Sequence, residues 1–277
     1  MATTIETAPS KNPTPDPREE QANGKQMSFL EHLEELRQRL LRAAVSLLVG
    51  FGICFYFAKT FYNVLARPLT TTLHQLGVSD KLVYTNPVDP FNLYIKLGLL
   101  GGVFLASPYI LWQLWLFISP GLYRHEKKYV WPFVGLTTTL FLTGGYFAYA
   151  LAFPAALKFL VSYGNQFTPM VTINEYWDLA MSIIVAVGLV FELPVVLLLL
   201  SIFGIVTPRF LWRQIRYAVL ITAVVAAAIV PTNDMASIFI VWIPLVGLYL
   251  LSIGLSWLVQ VSKRRRAKDK LARTGDA

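Results

Sequence analysis

Six apolar segments, each a candidate membrane span, constrain this chain more than any other feature. A helix needs about 20 apolar residues to cross a hydrocarbon core about 30 Å thick. Hydrophobic residues make up 55% of the 277 residues and charged residues only 14%, with a mean hydropathy of +0.54, which excludes a water-soluble domain. The composition therefore predicts an all-α membrane protein with six transmembrane helices. The predicted spans cover residues 41–62, 93–118, 130–153, 177–202, 216–231 and 236–258.

The fifth predicted span is unusually short. Residues 217–230 number 14, and at about 1.5 Å per residue they cover only about 21 Å. Since this is less than a typical hydrocarbon core, we expect local thinning of the bilayer near the fifth and sixth spans. The connection at 231–234 leaves room only for a hairpin between these two spans.

Basic residues predict the orientation of the chain. The opposite loops carry five basic residues balanced by five acidic ones. By the positive-inside rule, both termini are predicted to be cytoplasmic. The net charge of +8 suits topology and anionic lipid better than nucleic acid. The basic residues of the predicted inner segments are Arg37, Arg39, Arg42, Arg124, Lys127, Lys128, Arg209, Arg213, Arg216 and seven Lys or Arg after the sixth span.

Prolines occur within or near the ends of several spans and predict kinked helices, because each interior proline removes a backbone hydrogen bond. Kinked spans pack into a curved wall more readily than into a straight bundle. The alternative, that proline is simply common in membrane helices, stays open. No repeat relates the two halves of the sequence, which weakens an inverted-repeat transporter. The prolines are Pro108, Pro132, Pro154, Pro194 and Pro244.

Three regions follow from these patterns. Residues 1–26 are rich in Pro, Thr, Glu and Lys and lack an apolar core, which predicts a disordered cytoplasmic tail rather than a cleaved signal peptide. Residues 27–258 form the predicted membrane domain, and 259–277 a basic cytoplasmic tail. The only cysteine, Cys54, lies in an apolar stretch and allows neither an internal disulfide nor a zinc cluster.

Acidic residues stand directly before the first span, in the sequence SFLEHLEELRQRL at 28–40. Ser28 with Glu31 three residues later is a capping-box pattern that starts a helix. Glu35 and Glu31 share a helix face at i,i+4 spacing. One interpretation is an interfacial helix in which Glu35 pairs with Arg39. The other makes Glu35 available to a cationic ligand, and spacing alone favours the local pair.

Glu126 presents the same choice in the loop LYRHEKK between the second and third spans. Arg124, Lys127 and Lys128 are all placed to satisfy it locally. The preceding LWLFISPGLY contains Pro120, which breaks the second span just past Phe117. An aromatic residue at this boundary is more often packing than recognition.

Glu192 lies about 14 residues into the fourth predicted span, two residues before Pro194. A carboxylate at that depth costs about 2–3 kcal/mol on insertion scales. We therefore expect Glu192 to be protonated, hydrogen-bonded or facing a water-filled cavity. Two roles stay open, a structural link between helices and a functional polar site. Asp234, in the turn VPTND, has the spacing of an ordinary turn and cap.

Residues of catalytic or metal-binding type are scattered. His32, His74 and His125 are far apart and have no metal-ligand spacing. The sequence has no Gly-rich phosphate loop, no nucleophile elbow and no His-Glu zinc motif. We expect no enzyme and no cofactor.

These blocks together resemble the TatC family, the large polytopic subunit of the twin-arginine protein translocase. The resemblance rests on FLEHLEELRQRL, SPYILWQLWLFISPGLYRHEKK, FELPVVLLLL and VPTND, in order, and covers about residues 28–258. It implies a curved, glove-like arrangement of six helices in the bacterial inner membrane, with both termini cytoplasmic.

The resemblance also implies function and partners. The family binds the twin-arginine signal peptides of folded precursors, assembles with single-span TatA and TatB subunits, and self-associates within the complex. The family nucleates the assembly of the translocase. Transport is driven by the proton-motive force, without nucleotide hydrolysis. Membrane lipids surround it, and no nucleic-acid partner is expected.

Matching motif by motif places the family's functional residues on this chain. The implied signal-peptide site comprises Glu35, Arg37, Phe117, Pro120 and Glu126. The intramembrane acid is Glu192, the outer-turn acid is Asp234, and a proline of the outer cap is Pro68.

The chain also departs from the family pattern. Ile238 stands where many relatives carry Gln, and Leu250 replaces a family Glu, which weakens inferences about partner contacts along the last two spans. A proton-coupled transporter of small solutes, with Glu192 as proton carrier, is the rival interpretation. It needs more polar residues at midplane depth than Ser, Thr and Gln113 supply.

Overall fold

The part of the chain described by the computed structural model is almost entirely helical. It comprises residues 29–75, 82–118, 130–164, 166, 170–230 and 234–275. Within these ranges, extended pairing is limited to one isolated parallel bridge between Val83 and Thr172. The predicted all-α fold class is confirmed.

Eleven α-helices and a π-helical turn follow one another along these residues. In chain order they are α1 (Phe29–Tyr56), α2 (Ala58–Leu65), α3 (Arg67–Gln75), α4 (Asp89–Ile118), α5 (Val130–Phe147), the π-helical turn (Ala148–Ala152), α6 (Phe153–Tyr163), α7 (Ile173–Val190), α8 (Leu193–Ile202), α9 (Pro208–Arg213), α10 (Ile215–Ile229) and α11 (Met235–Gly275).

Five helical stretches of the described chain are long and apolar enough to cross a membrane, and they overlap predicted spans one to four and six. The predicted fifth span is α10, an apolar helix of only 15 residues. The prediction that this span is short is confirmed. A bilayer crossing by α10, thinning of the bilayer and the orientation of the termini stay predictions. The five stretches are Glu31–Tyr56, Asp89–Ile118, Trp131–Tyr163, Ile173–Ile202 and Met235–Val261.

The helix of the first span begins earlier than predicted and that of the last span ends later, while the predicted first span, 41–62, is divided between α1 and α2. The acidic block and most of the first span form one unbroken helix, α1, rather than an interfacial helix followed by a span. No proline or turn residue occurs at Leu40 or Leu41, where the acidic block meets the first predicted span. Nothing in the local sequence therefore ends the helix there. α11 likewise continues to Gly275, through most of the predicted basic tail. Residues 1–26 lie outside the described ranges.

α1 lies against α4 at a separation that glycines permit. A Cβ on Gly102 would stand 2.7 Å from the backbone nitrogen of Phe51, and a Cβ on Gly50 would stand 2.9 Å from the carbonyl oxygen of Gly102. A Cβ on Gly101 would stand 3.0 Å from the Sγ of Cys54. Small residues allow membrane helices to approach closely and gain dispersion energy. These glycines therefore set the alignment of α1 along α4.

Two of the five prolines coincide with interruptions of a span. Pro154 is the second residue of α6, directly after the π-helical turn, and Pro194 is the second residue of α8. Neither can donate the backbone hydrogen bond that would continue the preceding helix. Pro108 and Pro244 instead lie inside the unbroken helices α4 and α11.

The core of the molecule surrounds α7. Trp177, Tyr176 and Phe153 are fully buried, and the Tyr176 ring meets those of Trp177 and Phe153 edge-on, at centroid distances of 5.1 and 5.3 Å. Within the 18-residue apolar segment of the stretch Ile173–Ile202, 44% of the residues are buried, whereas only 11% are buried in the corresponding segment of α1. α1 is therefore a peripheral helix whose exposed apolar face suits lipid.

A polar junction joins the amino-terminal ends of α4 and α7, on the predicted outer side. The Val83 amide donates to Val171 at 3.0 Å, and the Ile173 amide donates to Val83 at 2.9 Å. Asp89 is only 5% exposed. One of its carboxylate oxygens accepts from the Asn174 amide group at 2.7 Å, and the other from the Asn86 backbone amide at 2.9 Å.

Substitution at Gly50 tests the α1–α4 contact, with Gly52 on the same helix as the matched control. Gly50→Ala is expected to lower the free energy of unfolding by about 1–3 kcal/mol, because the added methyl overpacks the interface. Gly52→Ala meets open space and is expected to raise it by about 0.5–1 kcal/mol through the lost flexibility of glycine. Thermal unfolding of the two purified variants in detergent measures the difference. Equal melting temperatures would contradict the close approach.

The polar junction is tested by Asp89→Ala against Asp178→Ala. The first substitution leaves several buried donors without an acceptor and is expected to cost roughly 3 kcal/mol of unfolding free energy. Asp178 forms a partly exposed ion pair with Lys96 at 2.5 Å, so its loss is expected to cost less than about 1 kcal/mol. Denaturant titration followed by tryptophan fluorescence measures both, and similar losses would refute the assigned role of Asp89.

Candidate functional site

An acidic groove runs along the amino-terminal part of α1. The i, i+3 and i+4 spacing of its glutamates places their side chains on neighbouring positions of the helix surface. The groove has a volume of ≈310 Å³. Three carboxylates face two guanidinium groups, so the groove has an excess of one negative charge. Its lining residues are Glu31, Glu34, Glu35, Gln38, Arg39 and Arg42.

Glu35 is the least solvent-exposed of the three acids in this groove. Its Oε1 accepts a hydrogen bond from the Nε of Arg39 at 3.0 Å and a second from the same guanidinium group. Side-chain exposure is only 16% for Glu35 and 18% for Arg39. The predicted local pair between these residues is therefore present.

The second carboxylate oxygen of Glu35 has a different environment. Oε2 is buried, and the described part of the chain provides it with no hydrogen-bond partner. Carboxylate oxygens buried without a donor are costly, and each carboxylate can accept several hydrogen bonds. The pair with Arg39 therefore uses only half of Glu35, and Oε2 is the atom at which a further donor would bind.

Phe117 lies beside this groove, because α4 ends where α1 begins. Its ring stacks on the imidazole of His32, with centroids 4.5 Å apart and planes inclined by 17°. His32 is three residues before Glu35 on α1. The contact thus brings the end of α4, from which the α4–α5 connection departs, next to the acidic groove.

Arg37 points away from Glu35. Its side chain is 73% exposed, and its NH1 lies 3.6 Å from Glu34. Pro120 and Glu126 lie in the connection 119–129, outside the described residues. The structure thus brings Glu35 and Phe117 to one end of the molecule, with Arg37 on the outer surface of the same helix.

Glu192 occupies the interruption between α7 and α8. Its backbone amide donates to Leu189 at 3.1 Å, and its carbonyl accepts from Val195 at 3.0 Å. Its side-chain Oε1 is buried and finds no hydrogen-bond partner among the described residues. Gln113 Oε1 on α4 and Thr138 Oγ1 on α5 are unpartnered in the same sense. The α7–α8 interruption, α4 and α5 thus each carry a buried polar atom that is open to a further partner.

Asp234 caps the first turn of α11. Its Oδ2 accepts hydrogen bonds from both the amide and the hydroxyl of Ser237, each at 2.9 Å. These bonds favour the charged carboxylate and hold the pKa of Asp234 below its ordinary value of 3.8. The capping geometry expected from the turn sequence is therefore present.

Pro68 is the second residue of α3, in the segment predicted to form the outer cap. It lines a hollow of ≈410 Å³ together with Arg67, Tyr149 and Lys158. The Tyr149 hydroxyl donates to the carbonyl of Val64 at 2.6 Å and so ties the cap to the π-helical turn. Pro68 begins a helix where its missing N–H costs nothing.

Two contacts were missed in the sequence analysis. Asp89 is one of the five acidic residues of the predicted outer loops, and its position directly before Pro90 is typical of a helix start. His32 was weighed only as a metal ligand, and its stacking partner is 85 residues away. The described residues contain no group of three His, Cys, Asp or Glu placed to hold a metal ion.

Comparison with known proteins identifies the family. Residues 31–244 match the family described as Sec-independent protein translocase protein (TatC). This chain belongs to the TatC family. It is 45% identical over 262 residues to TatC of Koribacter versatilis, an alignment that covers 93% of this chain and 97% of that protein. TatC of Aquifex aeolicus is 37% identical over 245 residues, covering 87% of this chain and all of the relative.

Solved structures agree with this assignment. A crystal structure of a twin arginine translocase receptor TatC is 37% identical and superposes with a TM-score of 0.68, covering 83% of this chain and 100% of that one. A second crystal structure, in DDM, gives a TM-score of 0.70. The predicted family and fold class are confirmed, as is the prediction of a multi-pass membrane subunit of the twin-arginine translocase. A TatC protein is a component of a transport complex rather than a catalyst.

The Asp234 cap predicts a pH-dependent effect. A carboxylate with a lowered pKa stabilises the fold above its ordinary pKa, and this contribution is lost as the pH falls through the lower, folded-state value. Asp234→Ala is therefore expected to melt at a lower temperature than the wild type at pH 7, and the gap is expected to close as the pH falls below 3.8. Melting curves in detergent between neutral and acidic pH measure the gap. A gap independent of pH would contradict a charged cap.

Proposed function

We propose that this TatC chain is the subunit that binds twin-arginine signal peptides, with the arginine pair docking at the acidic groove. The observation that carries this proposal is the buried Oε2 of Glu35, which is left without a described partner beside a ring stack at the end of α4. A similar solved structure is called a twin arginine translocase receptor, which supports the same role.

The chemistry of the groove suits guanidinium groups. Arginine presents a planar fork of N–H donors that matches a carboxylate, whereas lysine is a compact point charge. Glu35 already binds the guanidinium group of Arg39 through Oε1. An arginine of the signal peptide would bind Oε2 or displace Arg39. The Phe117–His32 stack offers a flat apolar wall beside the incoming side chain.

Glu126 is the second acid of the proposed site. It follows α4 by eight residues, in the connection that departs directly after the Phe117–His32 stack. Two carboxylates on separate segments would divide an arginine pair between them, one guanidinium group to each. Pro120 would shape the exit of this connection from α4. Arg37 would hold Glu34 outward and keep it from competing for the ligand.

The membrane arrangement proposed here has both termini in the cytoplasm of a bacterial inner membrane. The support is the uniform excess of basic residues in the four predicted inner segments. In that orientation the acidic groove faces the cytoplasm, where precursors are made. Residues 27–258 then form the membrane domain, between an N-terminal tail at 1–26 and a basic tail at 259–277.

Partners of the TatA and TatB type would approach from within the bilayer. Polar groups in hydrocarbon are costly unless paired, and the unpartnered Oε1 of Glu192 supports a contact there with a polar group of a partner span or of the signal peptide. Pro68 and Asp234 would hold the outer cap and the outer turn in place. Transport itself would draw on the proton-motive force, and copies of the chain would associate within the complex.

Charge neutralisation tests the site, with Glu34 as the matched control. Glu35→Gln and Glu126→Gln are each expected to weaken binding of a twin-arginine peptide by about ten- to a hundredfold, since a hydrogen bond to a charged group is worth about 1.5–3 kcal/mol. Glu34→Gln removes the same charge one residue away, at a side chain that is 54% exposed, and is expected to change the affinity less than about threefold. Fluorescence anisotropy of a labelled peptide, with the full chain in detergent, measures all three variants.

Photo-crosslinking locates the peptide independently of affinity. A photo-crosslinker at residue 126 is expected to label the twin-arginine peptide and not its twin-lysine version, because lysine lacks the fork. Equal labelling of both peptides, or wild-type affinity in both Gln variants, would show that these acids are not the docking site.

A further inference from the structure

A groove between α9 and α11 has the composition of a binding site for an amphiphile. Its volume is ≈560 Å³, and its walls include Arg209, Trp212, Arg213, Gly254 and Trp257. The Tyr249 hydroxyl of α11 donates to the carbonyl of Leu211 in α9 at 2.8 Å, and Leu211 is buried. The two walls of the groove are therefore held together by a fixed contact rather than by chance proximity.

The position of the groove along α11 places it at a membrane boundary. Gly254 follows the first residue of α11 by 19 residues, which at about 1.5 Å per residue is about 29 Å. A hydrocarbon core is about 30 Å thick. The groove therefore lies about one membrane thickness away from the Asp234 turn, where headgroups meet acyl chains.

The charges of this groove are unbalanced. Arg209 and Arg213 are four residues apart on one face of α9. Neither forms an ion pair with any residue whose side chain the structure describes. Arginine binds phosphate oxygens through parallel N–H donors. Two such cations at the rim of an otherwise apolar groove are complementary to a phosphate attached to hydrocarbon.

The aromatic residues supply the apolar part. Trp212 and Trp257 are 63% and 58% exposed, which is unfavourable in water but typical of tryptophan at headgroup level. Gly254 leaves the wall between them open, because a Cβ there would meet nothing within 4 Å. The groove thus offers exposed indole surface and open space beside Gly254 to an acyl chain.

We propose that this groove binds one phospholipid with a net negative headgroup, its phosphate held by Arg209 and Arg213 and an acyl chain lying against Trp212 and Trp257. The lipid is a bound component of the α9–α11 junction.

Lipid retention by the full chain tests this proposal. The wild type in detergent is exposed to phosphatidylglycerol or to phosphatidylcholine with identical acyl chains, and native mass spectrometry counts the retained lipid. We expect phosphatidylglycerol to be retained about thirtyfold better, because two arginines near an anionic headgroup contribute about 1 kcal/mol each. In the double variant R209Q/R213Q this preference is expected to vanish.

Two further variants separate a site from general surface charge. Arg216→Gln removes the same charge from a side chain outside the groove, one whose guanidinium group lies 5.1 Å from the Tyr217 ring, and is expected to keep the preference. Gly254→Leu leaves both arginines in place and fills the groove. Gly254→Leu is expected to abolish lipid retention. This variant tests the site independently if R209Q/R213Q does not fold.

Several results would overturn the proposal. These are equal retention of the two lipids by the wild type, an unchanged preference in R209Q/R213Q, or an equal loss in Arg216→Gln. Displacement of the lipid by inorganic phosphate alone would also overturn it, since the groove would then recognise a free anion rather than a membrane lipid.

Discussion

The close approach of α1 and α4 is the contact on which the candidate site depends. Gly50 and Gly102 bring the two backbones within van der Waals distance. Only with that alignment does the amino-terminal part of α1 lie beside the last turn of α4, where His32 stacks on Phe117. α1 has few other neighbours, since most of its apolar surface faces outward. Because α1 is peripheral and contacts the rest of the molecule mainly through α4, it can present an acidic groove at its end without disturbing the core around α7.

Buried polar groups divide this molecule into satisfied and unsatisfied sites. The carboxylate of Asp89 is saturated by donors from its own loop and from Asn174, which is the arrangement of a structural junction. Glu35 and Glu192 each keep a buried oxygen that the described residues leave without a partner. Since a low dielectric raises the cost of such atoms, an acid that keeps a buried, unpartnered oxygen is a candidate for contact with a ligand or a partner helix. The proposed roles of Glu35 and Glu192 rest on that physical distinction.

Much of the fold was predictable because a bilayer restricts the choices. Each apolar run long enough to span must be a helix, so the spans and the shortness of α10 followed from hydropathy alone. Boundaries were less predictable. No proline or turn residue marks the start of the first predicted span at Leu41, so the sequence did not indicate whether one helix or two would form there. The structure has one continuous helix, α1. Both Pro108 and Pro154 occur within predicted spans. Pro108 lies inside the continuous helix α4, whereas Pro154 follows a π-helical turn. The difference arises because neighbouring helices determine how the backbone carbonyl that loses its hydrogen bond is satisfied.

The sequence by itself determined the family, the helical class and the acidic residue types before the first span, because hydropathy, charge bias and ordered motifs are local properties. It left Glu35 between a local pair and a ligand site. The tertiary structure showed one of its oxygens bound to Arg39 and the other buried without a described partner. The His32–Phe117 stack, the Asp89–Asn174 bond and the α9–α11 groove were likewise decided only by folding. Each joins residues far apart in the chain, and such contacts depend on helix alignment, which small steric differences at glycines set and no local pattern encodes.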